Sequence, residues 1–406
     1  MKAQRKREAT AKTTHGDAHA DAGASAHDEE RREQSFAGGL RRLDWKLVAL
    51  MLAIKLLIFV FAVHAFYLLS NTRTEGLYGW LEIWNRWDAP HYLDIARDGY
   101  VTTGEQSRWL VFYPLLPWLT RVFALFTGGD YLIGAFLVST IASLAAGLLL
   151  YRLAALDETE AVARRAVWFL FIFPTSYFLH IGYTESLFIA ISVGCFLAAR
   201  KGRWWLAGVL AALAGLTRVN GLILIPALAV EALQQYRETR RLNPQWLWIL
   251  FAGLGFGLYL LINYQVTGDA FAFQKIASEH WSKSLTWPWV GIREVARSMW
   301  WRAPAEAQMV GVQEFVFILL GLLCTVWTWK EFRPSYGVWM TLNWLLWTST
   351  SFILSAPRYT LIMFPIYLLF ARLTARRPFW DGLITVWSLL FLAIFVSQFV
   401  QGRWAF

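Results

Sequence analysis

The sequence predicts an all-α, multi-pass membrane protein, and three observations support that prediction. Of the 406 residues, 57% are hydrophobic and only 16% are charged, whereas a soluble domain carries about 25% charged residues. Apolar runs long enough to cross a bilayer, which takes roughly 20 residues, recur along the chain. Arg and Lys gather in short stretches between those runs. This composition excludes a soluble enzyme, a disulfide-rich scaffold and a disordered protein.

The net charge of +10 fits membrane topology better than nucleic-acid binding. A basic patch can bind nucleic acid, but basic residues in short loops determine which side of the membrane each loop occupies. We therefore predict no nucleic-acid partner. The two cysteines, Cys195 and Cys324, lie within apolar runs, so the sequence predicts neither a disulfide framework nor a zinc site.

The chain divides into a polar N-terminal segment and a membrane domain. Residues 1–44 alternate in charge, so we expect a disordered cytoplasmic tail. Residues 45–406 are expected to form the membrane domain, with its N terminus cytoplasmic and its C terminus outside. Eleven segments are predicted to span the membrane, namely 46–70, 131–153, 163–180, 184–200, 203–217, 219–235, 245–265, 310–329, 335–355, 358–372 and 381–400.

The segment 109–126 is apolar as well, but we predict that it lies in the membrane interface. It contains Pro114, Pro117 and Arg121, which suit a surface helix better than a span. A twelfth span here would invert every later loop, whereas eleven spans make each cytoplasmic loop short and basic. The basic residues thereby assigned to the cytoplasmic side are Arg152, Arg164, Arg165, Arg200, Lys201, Arg203, Arg237, Arg240, Arg241, Lys330, Arg333, Arg372, Arg376 and Arg377.

Two long connections then face the extracytoplasmic side, 71–130 and 266–309. Both mix aromatic and charged residues, which indicates amphipathic helices and loops at the membrane surface. The second connection carries five tryptophans, at positions 281, 287, 289, 300 and 301.

The main candidate for chemistry lies in the first of these connections. Asp88 followed by Pro90 is typical of a helix start with Asp88 as the N-cap, and Gly99 is predicted to end that helix. One hypothesis is that Asp88 only caps a surface helix. The other is that this carboxylate, which follows Trp84 and Trp87 at the membrane surface, removes a proton from an attacking hydroxyl.

Arg218 and Arg358 each stand alone between apolar runs, on the side that the topology leaves poor in positive charge. Each can extend to lipid headgroups or bind a phosphate, which the guanidinium fork fits well. Because both face the same side as Asp88, the phosphate hypothesis is favoured. Glu185 is either a second acid or base or an ordinary carboxylate at a helix start. Lys55 lies in the middle of a span with no evident partner.

Other motifs of group transfer are missing from the sequence. There is no glycine-rich phosphate loop and no Asp-x-Asp pair for a nucleotide-bound metal. Since the candidate residues face away from cytoplasmic nucleotides, we expect any activated group to arrive on a lipid phosphate. No cofactor is required, although Asp88, Asp94 and Glu185 leave the binding of a divalent metal ion open.

Six motifs on the extracytoplasmic side follow one another in a specific order. They are Arg86-Trp87-Asp88 before His91-Tyr92 and Gly99-Tyr100, Tyr113-Pro114-Leu115-Leu116-Pro117, Phe173-Pro174-Thr175, Tyr183-Thr184-Glu185-Ser186, Thr217-Arg218-Val219-Asn220-Gly221, and Pro357-Arg358-Tyr359 before Phe364-Pro365. In this order, the set resembles the GPI mannosyltransferase II (PIG-V-like) family of GT-C integral-membrane glycosyltransferases. The likeness covers about residues 46–400.

The resemblance implies a GT-C fold and inverting transfer of a hexose, usually mannose. The donor would be a polyprenyl-phosphate sugar, and the acceptor a hydroxyl of a lipid-linked or surface glycan. In such enzymes an Asp of the first outside loop is the usual candidate base, and Asp88 matches that position. Arg218 and Arg358 would then bind the donor phosphate, and the tryptophan-rich segment 281–301 would line the acceptor entrance. The residues expected to bind substrate are Arg86, Trp87, His91, Tyr92, Asp94, Tyr113, Glu185, Asn220 and Tyr359.

Two other functions stay open at this point. A transporter or lipid flippase would favour internal repeats and broken helices with ionisable groups at the midplane, and no clear repeat is seen. Asp88 and the two arginines argue only weakly against a non-catalytic subunit with the same scaffold. The site is expected on the extracytoplasmic face, which in a bacterium is that of the plasma membrane.

Overall fold

The computed structural model describes residues 44–406, and these are almost entirely α-helical. The predicted tail, residues 1–44, lies outside the described residues apart from Asp44. Within the described part, the only β pairing is an isolated antiparallel bridge between Leu285 and Thr350. The expectation of an all-α fold is therefore confirmed.

The α-helices are numbered here in chain order. They are α1 (Trp45–Ser70), α2 (Gly79–Glu82), α3 (Ala89–Asp98), α4 (Leu115–Ala124), α5 (Tyr131–Ala154), α6 (Glu160–Ile172), α7 (Glu185–Arg200), α8 (Trp204–Gly215), α9 (Leu224–Thr239), α10 (Ala252–Thr267), α11 (Ala272–Trp281), α12 (Pro288–Trp301), α13 (Pro304–Glu306), α14 (Glu314–Glu331), α15 (Pro334–Thr348), α16 (Ala356–Leu361), α17 (Pro365–Arg376) and α18 (Pro378–Val400). Short 3₁₀ segments lie at Glu105–Val111, Ser176–Leu179, Val219–Ile223 and Pro244–Phe251, and a π-helix at Ala307–Gln313.

Five helical stretches among the described residues are long and apolar enough to cross a bilayer. They are Trp45–Ser70, Tyr131–Ala154, Pro244–Thr267, Pro304–Glu331 and Pro378–Val400. The other predicted spans fall on shorter helices, and α6 and α7 have 13 and 16 residues. The protein is thus an integral membrane protein, while the total of eleven spans stays a prediction.

Both long connections contain short helices, as expected. In the segment 109–126, the helix α4 has ten residues and is about 15 Å long, half the thickness of a bilayer core. It is therefore too short to span a membrane by itself. Its place in the interface stays a prediction.

Local signals in the sequence set several helix starts. Asp44 accepts a hydrogen bond from the Leu47 amide at 3.1 Å at the start of α1. Asp130 does the same for the Ile133 amide at 2.8 Å at the start of α5, so both are N-caps. Prolines in the first turn open α12, α15, α17 and α18, where the missing N–H costs no hydrogen bond.

The deepest part of the molecule is the stretch 171–199, in which every residue is buried. Helix α6 ends at Ile172 because Phe173 precedes a proline, and such residues favour extended backbone. Residues 173–184, here called the buried loop, then pass through the interior. Their backbone carbonyls need partners inside the protein. Ser139 of α5 supplies one, with its hydroxyl 2.5 Å from the Ile181 carbonyl oxygen.

Helix α7 separates two groups of charged residues. Glu185 begins it and Arg200 ends it, and its 16 residues extend about 24 Å. At the Arg200 end, ion pairs connect neighbouring helices, including Arg200 with Asp157 at 2.7 Å and Arg333 with Glu231 at 2.9 Å. The Glu185 end carries the candidate site.

Candidate active site

Helix α3 places Asp88 at the edge of the site. Pro90 lies in its first turn and Gly99, with φ 81°, ends it, as predicted. Asp88 occupies the N-cap position, as predicted, but its side chain bonds to no backbone amide of α3. Asp88 has helical φ and ψ of −75° and −22° instead of the extended backbone that caps adopt. Its Oδ2 accepts a hydrogen bond from Nη1 of Arg358 at 2.6 Å.

Four charged residues from distant parts of the chain form one charged cluster: Asp88, Glu185, Arg218 and Arg358. Arg358 donates from Nε to Oε1 of Glu185 at 2.5 Å. Arg218 donates from Nη1 to the same oxygen and, at 3.1 Å, to the Thr184 hydroxyl. Glu185 therefore bridges the two arginines, and Arg358 connects it to Asp88.

The charged cluster is closed at Glu185 and open at Asp88. The side chain of Glu185 is 0% exposed and that of Arg358 is 9% exposed, against 29% for Asp88. Removing charges from water is costly unless they are paired, and here two guanidinium groups offset two carboxylates. Asp88 is thus the member of the charged cluster most accessible to a substrate.

Aromatic rings hold the arginines in place. The guanidinium carbon of Arg358 lies 4.6 Å from the ring centroid of Tyr183 and 5.0 Å from that of Phe178, which is cation–π geometry. The Tyr183 hydroxyl donates to the Arg86 carbonyl at 2.7 Å and accepts from the Asp88 amide at 3.2 Å. Tyr183 therefore joins the buried loop to the backbone that carries Asp88.

An aromatic wall is formed by His91 of α3 with Trp109 and Phe112. The rings of His91 and Trp109 are 3.7 Å apart between centroids, and Phe112 is 5.3 Å from His91. Burial lowers the pKa of the His91 imidazole below its usual range, although nearby carboxylates, first of all that of Asp88, act in the opposite direction. Burial also raises the pKa of the neighbouring Tyr92, which keeps this phenol protonated.

Three predicted substrate residues have their partners outside the charged cluster, although Asp94 also accepts a hydrogen bond from Trp109, beside His91. Asp94 accepts from Arg97 at 2.9 Å, and the Tyr113 ring stacks on another tyrosine with centroids 4.0 Å apart. Asn220 donates to Asn343 at 2.8 Å. None of the three makes a hydrogen bond or ring contact with the charged cluster among the described residues. Their substrate roles stay predictions.

The remaining predicted residues lie close to the charged cluster. Arg218 is 5.6 Å from the ring centroid of Tyr359. Trp87, which precedes Asp88 with φ 56°, contacts Trp404 edge-on at 5.2 Å. The guanidinium of Arg86 makes no ion pair or hydrogen bond with another described residue, and its Nε is buried.

Sequence reasoning missed several neighbours of the site. Tyr183 and Thr184 stood beside Glu185 in a recognised motif but received no role. No feature of the sequence around Trp404 indicates that this residue lies near Asp88. Lys55 does have partners, which corrects the expectation. Its Nζ donates to the Thr140 hydroxyl at 2.7 Å and to the His180 carbonyl at 3.2 Å, so it joins α1 and α5 to the buried loop.

The arrangement of the acidic side chains bears on whether a divalent metal ion binds. Within residues 44–406, no group of three or more His, Cys, Asp or Glu side chains is arranged to hold a metal ion. Asp88 and Glu185 are both bound to Arg358, whereas Asp94 pairs with Arg97.

The fold defines the class of protein. ArnT from Cupriavidus metallidurans, solved bound to undecaprenyl phosphate, superimposes with a TM-score of 0.51 over 89% of this chain and 75% of that one, at 14% sequence identity. The two proteins therefore share the GT-C fold. Residues 44–293 match the mannosyltransferase (PIG-V) family, and the chain belongs to that family.

Two curated relatives are similar over part of their length. GPI alpha-1,6-mannosyltransferase 2 of Mus musculus is 31% identical over 169 residues, which is 38% of this chain and 32% of that protein. The protein of the same name from Cricetulus griseus is 31% identical over 166 residues, which is 37% of this chain and 31% of that protein. The match thus spans about a third of the length of these relatives.

Proposed function

We propose that this protein is an inverting glycosyltransferase that transfers a hexose, in the first place mannose, from a polyprenyl-phosphate donor. The acceptor is a hydroxyl of a lipid-linked or surface glycan. One observation carries the proposal: in a chain of the mannosyltransferase (PIG-V) family, a partly exposed carboxylate, Asp88, is bound to the buried Arg358, which shares Glu185 with Arg218.

Asp88 is the proposed general base. Its Oδ2 is held by Arg358, while its Oδ1 has no hydrogen-bond partner among the described residues and is free to accept a proton. The acceptor oxygen attacks C1 of the sugar from the face opposite the phosphate, and its proton passes to Asp88. The bond between C1 and the phosphate oxygen breaks, and the electron pair leaves with the polyprenyl phosphate. The configuration at C1 is inverted.

Arg218 and Arg358 are proposed to bind the donor phosphate. The hydrogen bonds of both to the carboxylates come from Nη1 or Nε, so Nη2 of each has no partner among the described residues. Such donors stabilise the leaving phosphate as its charge grows. Because the two carboxylates already balance these two arginines, the unpaired Arg86 is the proposed third cation for the phosphate.

The aromatic wall of His91, Trp109 and Phe112 is proposed to contact the sugar or the acceptor. Trp281 joins this wall through Phe112, with centroids 6.0 Å apart, which supports an acceptor entrance beside α11. Trp300 and Trp301 are both 85% exposed and suit the polar boundary of a membrane.

The site is proposed to face the extracytoplasmic side, with the N terminus in the cytoplasm. The Arg200 end of α7 collects basic residues, which is the pattern of a cytoplasmic surface. The charged cluster lies at the other end of that helix. A lipid-linked donor therefore reaches it from the outer leaflet.

The test is sugar transfer by purified protein in nanodiscs. Radiolabelled polyprenyl-phosphate mannose is supplied with an acceptor-lipid extract, and polyprenyl-phosphate glucose is used in parallel. Asp88→Ala should abolish transfer, whereas Asp98→Asn, on the same helix and paired only with Arg97, should not. Full turnover by Asp88→Ala would remove Asp88 from the mechanism. No transfer from either donor by folded protein would favour a transporter, a flippase or a non-catalytic subunit.

A further inference from the structure

A buried carboxyl group outside the charged cluster holds the backbone that carries Arg358. Glu314, the first residue of α14, is 0% exposed. Its two carboxyl oxygens accept hydrogen bonds from the backbone amides of Ser355 and Ala356, each at 2.6 Å. Ala356 begins α16, and Arg358 is the third residue of that helix.

The backbone held in this way is strained. Ser355 has φ 76° and ψ 28°, the left-handed conformation that residues with a side chain seldom adopt. Such conformations persist only where surrounding contacts stabilise them. The Glu314 carboxyl group provides that stabilisation, because it binds the amide of Ser355 and the amide after it. This conformation determines where α16 starts and thus where Arg358 points.

The position of Glu314 is itself unusual. The π-helix Ala307–Gln313 ends directly before it. π-Helical turns are rare, occur mostly inside α-helices and are frequent at functional sites. In the sequence, Glu314 is an acidic residue inside a predicted span. A charged side chain is costly there, so such residues usually have a functional role.

We propose that Glu314 is a positioning residue for the transferase reaction. It holds Ser355 and Ala356 so that Arg358 can bind both Asp88 and the donor phosphate. This role rests on the proposed function, since Arg358 acts on the phosphate only if the protein transfers a lipid-linked sugar. Glu314 contacts neither the substrate nor Asp88.

The first variant is Glu314→Gln. The amide keeps one acceptor oxygen but turns its NH₂ group toward a backbone N–H, so one buried donor loses its partner. We expect kcat/KM for the donor to fall about 10- to 100-fold, from the cost of an unsatisfied buried donor. Turnover at the wild-type rate would overturn the proposal. If this variant does not fold, Glu314→Asp, whose shorter side chain does not reach both amides, is measured instead.

The matched control is Glu231→Gln, the same change at another fully buried carboxylate. Glu231 bonds to Arg333 and Ser335 at the opposite end of α7. Both variants should lower the unfolding temperature, but only Glu314→Gln should lower kcat/KM per folded molecule. An equal loss of kcat/KM in both would show that any buried-charge defect has this effect, which overturns the positioning role.

Two further variants separate positioning from general stability. If Glu314 acts through Arg358, combining Glu314→Gln with Arg358→Lys should cost less than the product of the two single losses. Ser355→Gly, which adopts positive φ without a side-chain cost, should restore part of the activity of Glu314→Gln. Losses that multiply, or a glycine variant without any recovery, would contradict the proposal.

Hydrogen–deuterium exchange keeps this inference distinct from the proposed function. In the wild type, the amides of Ser355 and Ala356 should exchange slowly, and in Glu314→Gln they should exchange faster. If the wild type transfers no sugar, the proposed function fails and the transferase role of Glu314 fails with it, whatever the exchange shows. If the wild type transfers sugar but exchange is equal in both proteins, only the role of Glu314 is overturned.

Discussion

At the scale of single residues, the two carboxylates of the charged cluster, Asp88 and Glu185, differ in burial, and their proposed roles differ for that reason. Glu185 is inaccessible and offsets two buried guanidinium groups. Asp88 is partly exposed, and one of its oxygens is unbound. A buried charge left without a partner is strongly destabilising, whereas an exposed one is solvated by water. Glu185 therefore maintains the arginine pair, and Asp88 is the carboxylate proposed to act as the base.

Alanine at Glu185 and asparagine at Asp88 should accordingly have different effects. Glu185→Ala leaves Arg218 and Arg358 without their shared acceptor and should cost about 3–5 kcal/mol of folding free energy. Asp88→Asn should abolish transfer and destabilise the protein less, because Glu185 still binds Arg358 and Asp88 itself is partly exposed. Thermal unfolding in detergent and transfer assays check both. A stable Glu185→Ala, or an Asp88→Asn that unfolds as easily, would refute this division.

At the scale of elements, the buried loop connects the parts of the site. It follows a helix cut short by Pro174, and it carries Phe178 and Tyr183, which contact Arg358. Lys55 and Ser139 bind its carbonyls from α1 and α5. Lys55 is thus explained by a structural need, since a backbone carbonyl buried away from water requires a donor.

Close packing between α8 and α10 predicts opposite effects for two glycines of one helix. A Cβ at Gly255 would overlap the backbone carbonyl of Ala212, whereas one at Gly253 meets no atom within 4 Å. Gly255→Ala should therefore lower stability. Gly253→Ala should raise it by about 0.5–1 kcal/mol, because alanine favours the helix. Thermal unfolding of both variants measures this, and a Gly255→Ala that gains stability would show that α8 and α10 separate easily.

At the scale of the whole molecule, charge is divided between the two ends of the helix array. One end carries the basic residues that the sequence assigns to the cytoplasm, many of them paired, such as Arg372 with Glu331 at 2.9 Å. The other end carries the charged cluster, in which two carboxylates balance the charge of two arginines. This division agrees with the proposed lipid-linked donor and with the proposed opening of the site to the outer surface.

Cysteine labelling tests that orientation. The native cysteines, Cys195 and Cys324, are both buried and should stay unlabelled. Thr103 and Thr239 are both exposed. Thr103 lies in the first long connection and Thr239 ends α9, and the predicted topology assigns them to opposite sides. In intact cells, a membrane-impermeant maleimide should label Thr103→Cys but not Thr239→Cys, and permeabilisation should expose the second. The reverse pattern would invert the topology and place the site in the cytoplasm.

Much of this protein can be predicted from local pattern. Apolar runs, their basic flanks and their prolines predict the helices, because each helix satisfies its own backbone and needs only an apolar surface. Residue chemistry also singled out Asp88, Glu185, Arg218 and Arg358, since ionisable side chains beside apolar runs are costly and call for a function. The order of the motifs pointed to the family.

The partnerships of those residues could not be predicted in the same way. Asp88 and Arg358 are 270 positions apart, and no local signal indicates that one binds the other or that Glu185 joins two arginines. The same holds for Lys55 with His180 and for Glu314 with Ser355. Such contacts depend on how helices pack and where the chain turns inward, which is settled by the burial of the whole chain. Local periodicity determines the helices, and their packing determines which charges meet.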